Sequence, residues 1–344
     1  MTNGDLTERE RKVLEAVIES YVQTAEPAGS RTIARRFPLG VSAATIRNTM
    51  SDLEERGYLF HPHTSAGRIP TDRAYRMYVD SLVRTHPDPE DERHLHQELR
   101  SERTPIEGIL QKAAQVLGVL TQELGLAVGP SLDHAVLERL ELIQVSSDRL
   151  LLVLALSGGL ARTIFVEVSS VLPREAVSSV GAVLNERLSG LSLREIRTTL
   201  RDRLRDSGGG PGDAELLNIF IEEAEHLFDL PATDEPQVML GSAQLLAGQP
   251  EFNSNEQMRT LLELTERRDL LRDALRARRG PGLTVSIGGE NLDPRLNAFT
   301  IVTSSYEYGG VAGVIGVMGP TRMPYQKIVA LVEHTSRLMG DLLG

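Results

Sequence analysis

The stretch from Ser42 to Pro70 constrains the fold more than any other, because a short helical pattern runs straight into a turn-rich hairpin. Ser42 is a natural helix N-cap, and Gly57 suits the left-handed position that ends a helix. Between them Ile46, Met50 and Leu53 form one apolar stripe, spaced to pack inward. The opposite face carries Ala44, Thr45, Arg47, Asn48 and Ser51. Small side chains at its N-terminal end let such a helix sit deep in a DNA major groove, where Arg and Asn can hydrogen-bond base edges bidentately. Tyr58, Leu59 and Phe60 then read as a strand, Thr64-Ser65-Ala66-Gly67 as a turn and Ile69 as the return. Arg68 falls near the tip of this hairpin, where a guanidinium can enter a minor groove or grip phosphate.

The preceding residues supply two more helices. Thr7-Glu8-Arg9-Glu10 has the form of a capping box, and Val13, Leu14, Val17, Ile18 and Tyr21 follow at helical spacing. Pro27 and Gly29 break that helix. Ser30 is placed to cap a second one, Arg31 to Phe37, which Pro38 cannot continue. Three helices and a hairpin are the parts of a winged helix-turn-helix, whose third helix docks in the major groove. On this reading Ala44, Thr45, Arg47 and Asn48 meet bases, while Arg31, Thr32, Ser42 and Arg68 hold phosphates or the minor groove. Ser51, His63, Thr64 and Ser65 complete the expected contact set. The plainer alternative is a small three-helix domain whose hairpin contacts protein. His61 and His63 flank a proline with no cysteine or acidic third ligand beside them, so they read as surface or stacking residues, not a metal pair. Thr71-Asp72 restarts a helix with Tyr75, Met77, Tyr78, Val79 and Leu82 as its mainly apolar positions.

The bulk numbers fit this picture only when divided along the chain. The 344 residues suggest two or three domains, and 40% hydrophobic with 25% charged residues is the balance of a soluble globular protein. Net charge is −11, but residues 1 to 78 hold 11 Lys plus Arg against 10 Asp plus Glu, so an almost neutral head sits on an acidic body. That permits local phosphate contact and discourages spread along non-specific DNA. There is no run long enough to span a membrane, no secretory signal at the N-terminus and no cysteine, so the expected location is the cytoplasm.

Several segments resemble the heat-inducible transcription repressors of bacteria, the HrcA family. They are Ser42 to Met50, Gly57-Tyr58-Leu59 and above all Thr64-Ser65-Ala66-Gly67-Arg68-Ile69-Pro70-Thr71-Asp72-Arg73-Ala74-Tyr75-Arg76, then Ile287-Gly288-Gly289-Glu290-Asn291 and Gly316-Val317-Met318-Gly319-Pro320-Thr321-Arg322-Met323. Their order and spacing match over nearly the full length. The resemblance implies a multidomain α+β protein: an N-terminal winged helix-turn-helix, a GAF-like α+β domain, and a mainly helical dimerising domain inserted into the latter. It implies a homodimer that represses chaperone operons at an inverted-repeat operator on double-stranded DNA (the CIRCE element), is released on heat stress, and is modulated by the GroE-type chaperonin.

The body can be divided on that expectation. Residues 1–84 form the DNA-binding domain, and 85–104 the linker and start of a connecting helix, since Thr85 to Glu92 is acidic and Pro-rich. Residues 105–207 and 283–344 form the discontinuous GAF-like domain, and 208–282 the dimerising insertion. A helix runs through Ile106 to Leu120. Strand patterns cover Ala135 to Val145, Leu150 to Leu156 and Thr163 to Val168, and helical spacing covers Pro173 to Leu188 and Ser192 to Leu204. Ser207 to Gly212 is the clearest break; without a following Lys-Ser or Lys-Thr it is no phosphate loop. Ala214 to Leu230 and Asn255 to Arg279 read as helices, which either form a dimer interface or simply cover the neighbouring sheet. Leu283 to Ile287, Phe299 to Val302 and Val311 to Val317 should complete the interrupted sheet, with a helix Tyr325 to Leu343 packed on it.

No catalytic set stands out. Ser157-Gly158-Gly159 lacks the frame of a nucleophile elbow, and Glu222, Glu223, Glu225 and His226 read as a solvated helix face. The expectation is therefore a non-enzymatic repressor with no cofactor, no metal and no membrane contact. A small-molecule-sensing regulator with its ligand in the GAF-like domain is the alternative.

Overall fold

The computed structural model describes residues 6–62, 67–82, 86–99, 106–130, 135–168, 173–205, 211–222, 238–276, 282–308 and 311–343. The fold is mixed α+β and divides into two compact units. One comprises Met1–Ala127, Val238–Ser305 and Val314–Leu338; the other comprises Val128–Gln237, Tyr306–Gly313 and Met339–Gly344.

The first unit begins with α1 (Glu8–Thr24), whose capping box between Thr7 and Glu10 is present as expected. The second helix, α2 (Ser30–Arg36), starts one residue early: Gly29 is its N-cap and makes no side-chain cap, so Ser30 is the first helical residue instead of the cap. The third helix, α3 (Ala43–Glu55), is capped by Ser42, whose Oγ accepts the Thr45 backbone N–H at 3.1 Å. Its far end closes by two backbone bonds, Gly57 N–H to the Glu54 carbonyl and Tyr58 N–H to the Leu53 carbonyl, both 2.9 Å. That closure puts Gly57 at φ 75°, a left-handed position where glycine carries no Cβ penalty. Strands β1 (Leu59–Phe60) and β2 (Ile69–Pro70) pair antiparallel, and α4 (Asp72–Ser81) follows under a Thr71 cap. Val13, Leu14, Val17, Ile18, Ile33, Ile46, Met50, Leu53, Leu59 and Tyr75 are all buried here.

The acidic stretch expected as linker is partly helix. Pro89 opens α5 (Pro89–Leu99), and Glu90, Asp91 and Glu92 occupy its first turn. Proline at the first helical position loses no hydrogen bond, and carboxylates favour the positive helix end. After α6 (Ile106–Thr121) comes β3 (Leu124–Val128), a strand the sequence pattern does not reveal because every one of its residues is buried and no alternation appears. With β7 (Val238–Leu240), β8 (Leu283–Ile287), β9 (Phe299–Tyr308) and β10 (Val311–Pro320) it forms a five-stranded sheet of order β7-β3-β10-β9-β8. The expected Asn255–Arg279 helix is two, α10 (Asn255–Glu266) and α11 (Arg268–Arg276), because Arg267 leaves the helical region at φ −88°, ψ 70°. The last helix, α12 (Tyr325–Leu343), has the expected limits.

The second unit corrects the expected sheet. β4 (Leu137–Gln144), β5 (Arg149–Leu156) and β6 (Leu160–Glu167) form their own three-stranded antiparallel sheet and do not join the later strands. Their inward residues, among them Leu140, Leu152, Leu154 and Val166, close a core with α7 (Arg174–Leu188), α8 (Leu193–Leu204) and α9 (Pro211–Glu222) through Val180, Leu184, Ile196, Leu200, Leu217 and Phe220. The Asn185 side chain covers the β4 edge, with Leu140 N–H donating to its Oδ1 at 2.8 Å and its Nδ2 donating back to the Leu140 carbonyl at 2.5 Å. The unit therefore begins near residue 128, and the break placed at 208 falls within it, not at its border. Glu223, Glu225, His226 and the segment Ser207 to Gly210 lie outside the described residues.

Candidate nucleic-acid interface

The outward face of α3 presents Ala44, Arg47, Asn48 and Ser51, all exposed, while Ile46, Thr49, Met50 and Leu53 turn inward. Thr45 is half-buried and hydrogen-bonds internally: its hydroxyl lies 3.0 Å from that of Ser42, and its carbonyl accepts from Thr49 Oγ1 at 3.1 Å. The Ser42 hydroxyl is thus engaged in the helix cap. Arg31 is exposed on α2, and Thr32 beside it is half-buried. His63, Thr64 and Ser65 lie outside the described residues.

Arg68 is not at the hairpin tip. It sits at the base, where its backbone exchanges two 2.9 Å hydrogen bonds with Ala28. Its guanidinium turns back onto α3 and pairs with Glu54 at 2.9 Å, leaving the side chain only 15% exposed. The other Glu54 oxygen takes His61 Nδ1 at 2.6 Å. Glu54 is the acidic neighbour that a local reading of His61 misses: it lies seven residues away in sequence, and only the return of β1 along α3 joins them. Gly67 has a steric reason, since a Cβ there would overlap the Ala28 carbonyl and the Pro27 oxygen. A groove of about 500 Å³ results, lined by Gly29, Ser30, Arg47, Asn48, Ser51 and Arg68, among others. Five of those six are basic or small polar residues, so the groove offers donors and little bulk. It brings Arg47, Asn48, Ser51 and Arg68 together, and leaves Arg31, Thr32, Ala44 and Thr45 outside its lining.

The motif residues after the hairpin do a different job. Arg73 stacks over the Tyr58 ring at 4.4 Å and donates to the Arg56 carbonyl at 2.8 Å. Arg76 reaches the sheet: it grips Glu290 with Nε and NH2 and donates to the Val285 carbonyl at 2.7 Å. Asp72 accepts the Gly289 backbone N–H at 3.1 Å. From the opposite direction Arg322 forks onto Glu251 at 2.5 and 2.9 Å and donates to the Val22 carbonyl of α1 at 2.8 Å. Its hydrogen bond to Glu251 raises the guanidinium pKa. The segments Thr71 to Arg76, Gly288 to Glu290 and Thr321-Arg322 are thus a joint between the helical head and the five-stranded sheet. Beside it lies Glu123, buried, hydrogen-bonded to Gln249 at 3.0 Å, with its pKa pushed up to about 8 by desolvation.

The chain is similar to known proteins over nearly its whole length. Residues 107–329 match the family described as "HrcA protein C terminal domain". A protein of Chlorobium phaeobacteroides (strain BS1) named "Heat-inducible transcription repressor HrcA" is 40% identical over 352 residues, covering 99% of this chain and 99% of that one. A protein of the same name from Chlorobaculum tepidum is 38% identical over 357 residues, covering 100% and 99%. A crystal structure described as that of a hypothetical protein superposes with a TM-score of 0.62 at 24% identity, covering 98% and 99% of the two chains, a likeness of fold.

Proposed function

The chain belongs to the HrcA family of heat-inducible transcription repressors, and from that membership we propose that its head is a winged helix-turn-helix that reads an inverted-repeat operator of CIRCE type. The single observation that carries this reading is the exposed row Ala44, Arg47, Asn48 and Ser51 on a helix whose opposite face, Ile46, Thr49, Met50 and Leu53, is buried. Arg47 and Asn48 read base edges, Ala44 lets the helix approach, and Arg31 supplies phosphate contact. Arg68 acts at the floor of the groove, held by Glu54, in place of reaching out from the wing.

Two heads are needed for an inverted repeat, and the second unit supports pairing. On the face of its sheet away from the core, Ile143, Leu151 and Phe165 lie in one cross-strand row. Phe165 is 64% and Ile143 45% exposed, large apolar surface of the kind that marks an interaction site. We assign dimerisation to this unit, and the GAF-like role to the five-stranded sheet that the head joins. Heat release and GroE-type chaperonin dependence follow, as the family implies, if the repressor's folding is marginal near the growth temperature.

A gel shift with the full chain on a CIRCE-type inverted repeat and on random duplex, at several salt concentrations, tests the reading. The expected result is far tighter binding to the repeat, with a salt slope reporting several phosphate contacts. Equal affinity for both duplexes would refute it. A cavity of about 880 Å³ between α1, α4 and the start of α12, lined by Glu19, Tyr78, Asp88, Asp91 and Lys327 among others, favours a second reading in which a metabolite tunes DNA affinity. Thermal shifts against a metabolite panel separate the two.

A further inference from the structure

α5 carries Glu92 and His96 four residues apart, on one face of the helix. That face meets α12 at His334. The His96 and His334 rings approach edge to face with centroids 5.4 Å apart, and His334 Nε2 lies 3.8 Å from Glu92 Oε1. One donor atom from each of the three residues falls within 4.8 Å of the other two. His334 is only 13% exposed, and its Nε2 is buried with no hydrogen-bond partner among the described residues. Folded proteins seldom leave such an atom without a partner. A neighbouring ion pair, Asp91 to Lys327 at 3.0 Å, joins the same two helices. Neither the DNA-facing row nor the joint with the head uses these residues.

We propose that Glu92, His96 and His334 form a three-ligand site for one divalent first-row transition-metal ion, fastening α5 to α12. Two imidazole nitrogens and one carboxylate suit zinc, cobalt, nickel or copper; magnesium and calcium prefer sets of oxygen alone. Bonds of about 2.0–2.1 Å in a tetrahedral site put donor atoms about 3.4 Å apart. Side-chain rotation of Glu92, 41% exposed, and of His96 supplies the closure. Three protein ligands leave a position for water. Because α5 is the first long element after the head, an ion that binds only the folded chain stabilises the body at the point where the head is attached.

The test uses the full chain without a histidine tag. Cobalt(II) titration should give one equivalent per chain with visible ligand-field bands that zinc(II) abolishes, and zinc(II) should raise the melting temperature. His334→Gln, His96→Gln and Glu92→Gln should each weaken binding about tenfold or more. His94→Gln, exposed on the same helix, should leave it unchanged. Absent or substoichiometric binding, or unaltered cobalt bands and affinity in His96→Gln and His334→Gln, would overturn the proposal. If His334→Gln fails to fold, the half-exposed His96→Gln and Glu92→Gln decide.

Discussion

Single side chains divide into those that face outward and those that hold the outward ones in place. Arg47 is exposed on a helix anchored by Ile46 and Met50, so its removal disturbs nothing inside. Arg47→Ala should cost about 1–3 kcal/mol of operator binding and blur base preference. Equal losses on specific and random DNA would make it a phosphate contact. Its position was legible in the sequence, because helical spacing alone separates Ile46 from Arg47. Arg68 was not legible in the same way: a hairpin motif does not say which residue is at the tip, and the pairing with Ala28 and Glu54 is decided across the fold. Glu123 is a residue-scale case with a pH signature. Below about pH 4.5 its carboxyl is protonated folded or unfolded; from there to about pH 8 only the folded chain keeps the proton. Stability should therefore fall as pH rises through that window and level off above it. Glu123→Gln keeps the acceptor for Gln249 and should flatten this dependence, adding about 1–3 kcal/mol at pH 8 in denaturant titrations. An unchanged pH profile would place the carboxylate's pKa near its ordinary value.

At the scale of elements, helices with clean apolar stripes and caps were readable almost to the residue, as α12 and the Thr7 capping box illustrate. The strand β3 was not, since its five consecutive buried residues carry no alternation. The hairpin's seat on α2's approach is an element-scale feature that depends on one glycine. Gly67→Ala drives a methyl into the Ala28 carbonyl, and should cost about 1–3 kcal/mol in stability by shifting the hairpin base. Operator affinity should drop with it, while far-ultraviolet circular dichroism stays close to that of the parent. An unaltered melting temperature would mean that the hairpin is seated more loosely.

For the whole molecule, the decisive contacts join head to sheet. Arg322→Ala leaves Glu251 and the Val22 carbonyl without their shared donor at a half-buried site, and should cost about 2–3 kcal/mol. Calorimetry should show the head melting earlier than the sheet; a single unaltered transition would mean the joint does not hold the head. Pairing of chains is tested at Phe165, on the outer face of the second unit's sheet. Phe165→Asp should yield monomers by sedimentation and much weaker operator binding, with each chain still folded. A persistent dimer would move the interface elsewhere.

The chain by itself determined much of its local order: the limits of capped, cleanly striped helices such as α3 and α12, which face of α3 is apolar, and which segments mark the family. These are settled by spacing, caps and turn residues within a few positions of one another. Only the tertiary structure decided that β4, β5 and β6 close a sheet of their own, that Arg68 turns inward, and that the Thr71 to Arg76 and Thr321-Arg322 segments clasp head to sheet. Each of those depends on partners far apart along the chain, Arg76 with Glu290 and Arg322 with Glu251 among them. Periodicity carries no information about which distant carboxylate a guanidinium will find; geometry of packing alone makes that choice.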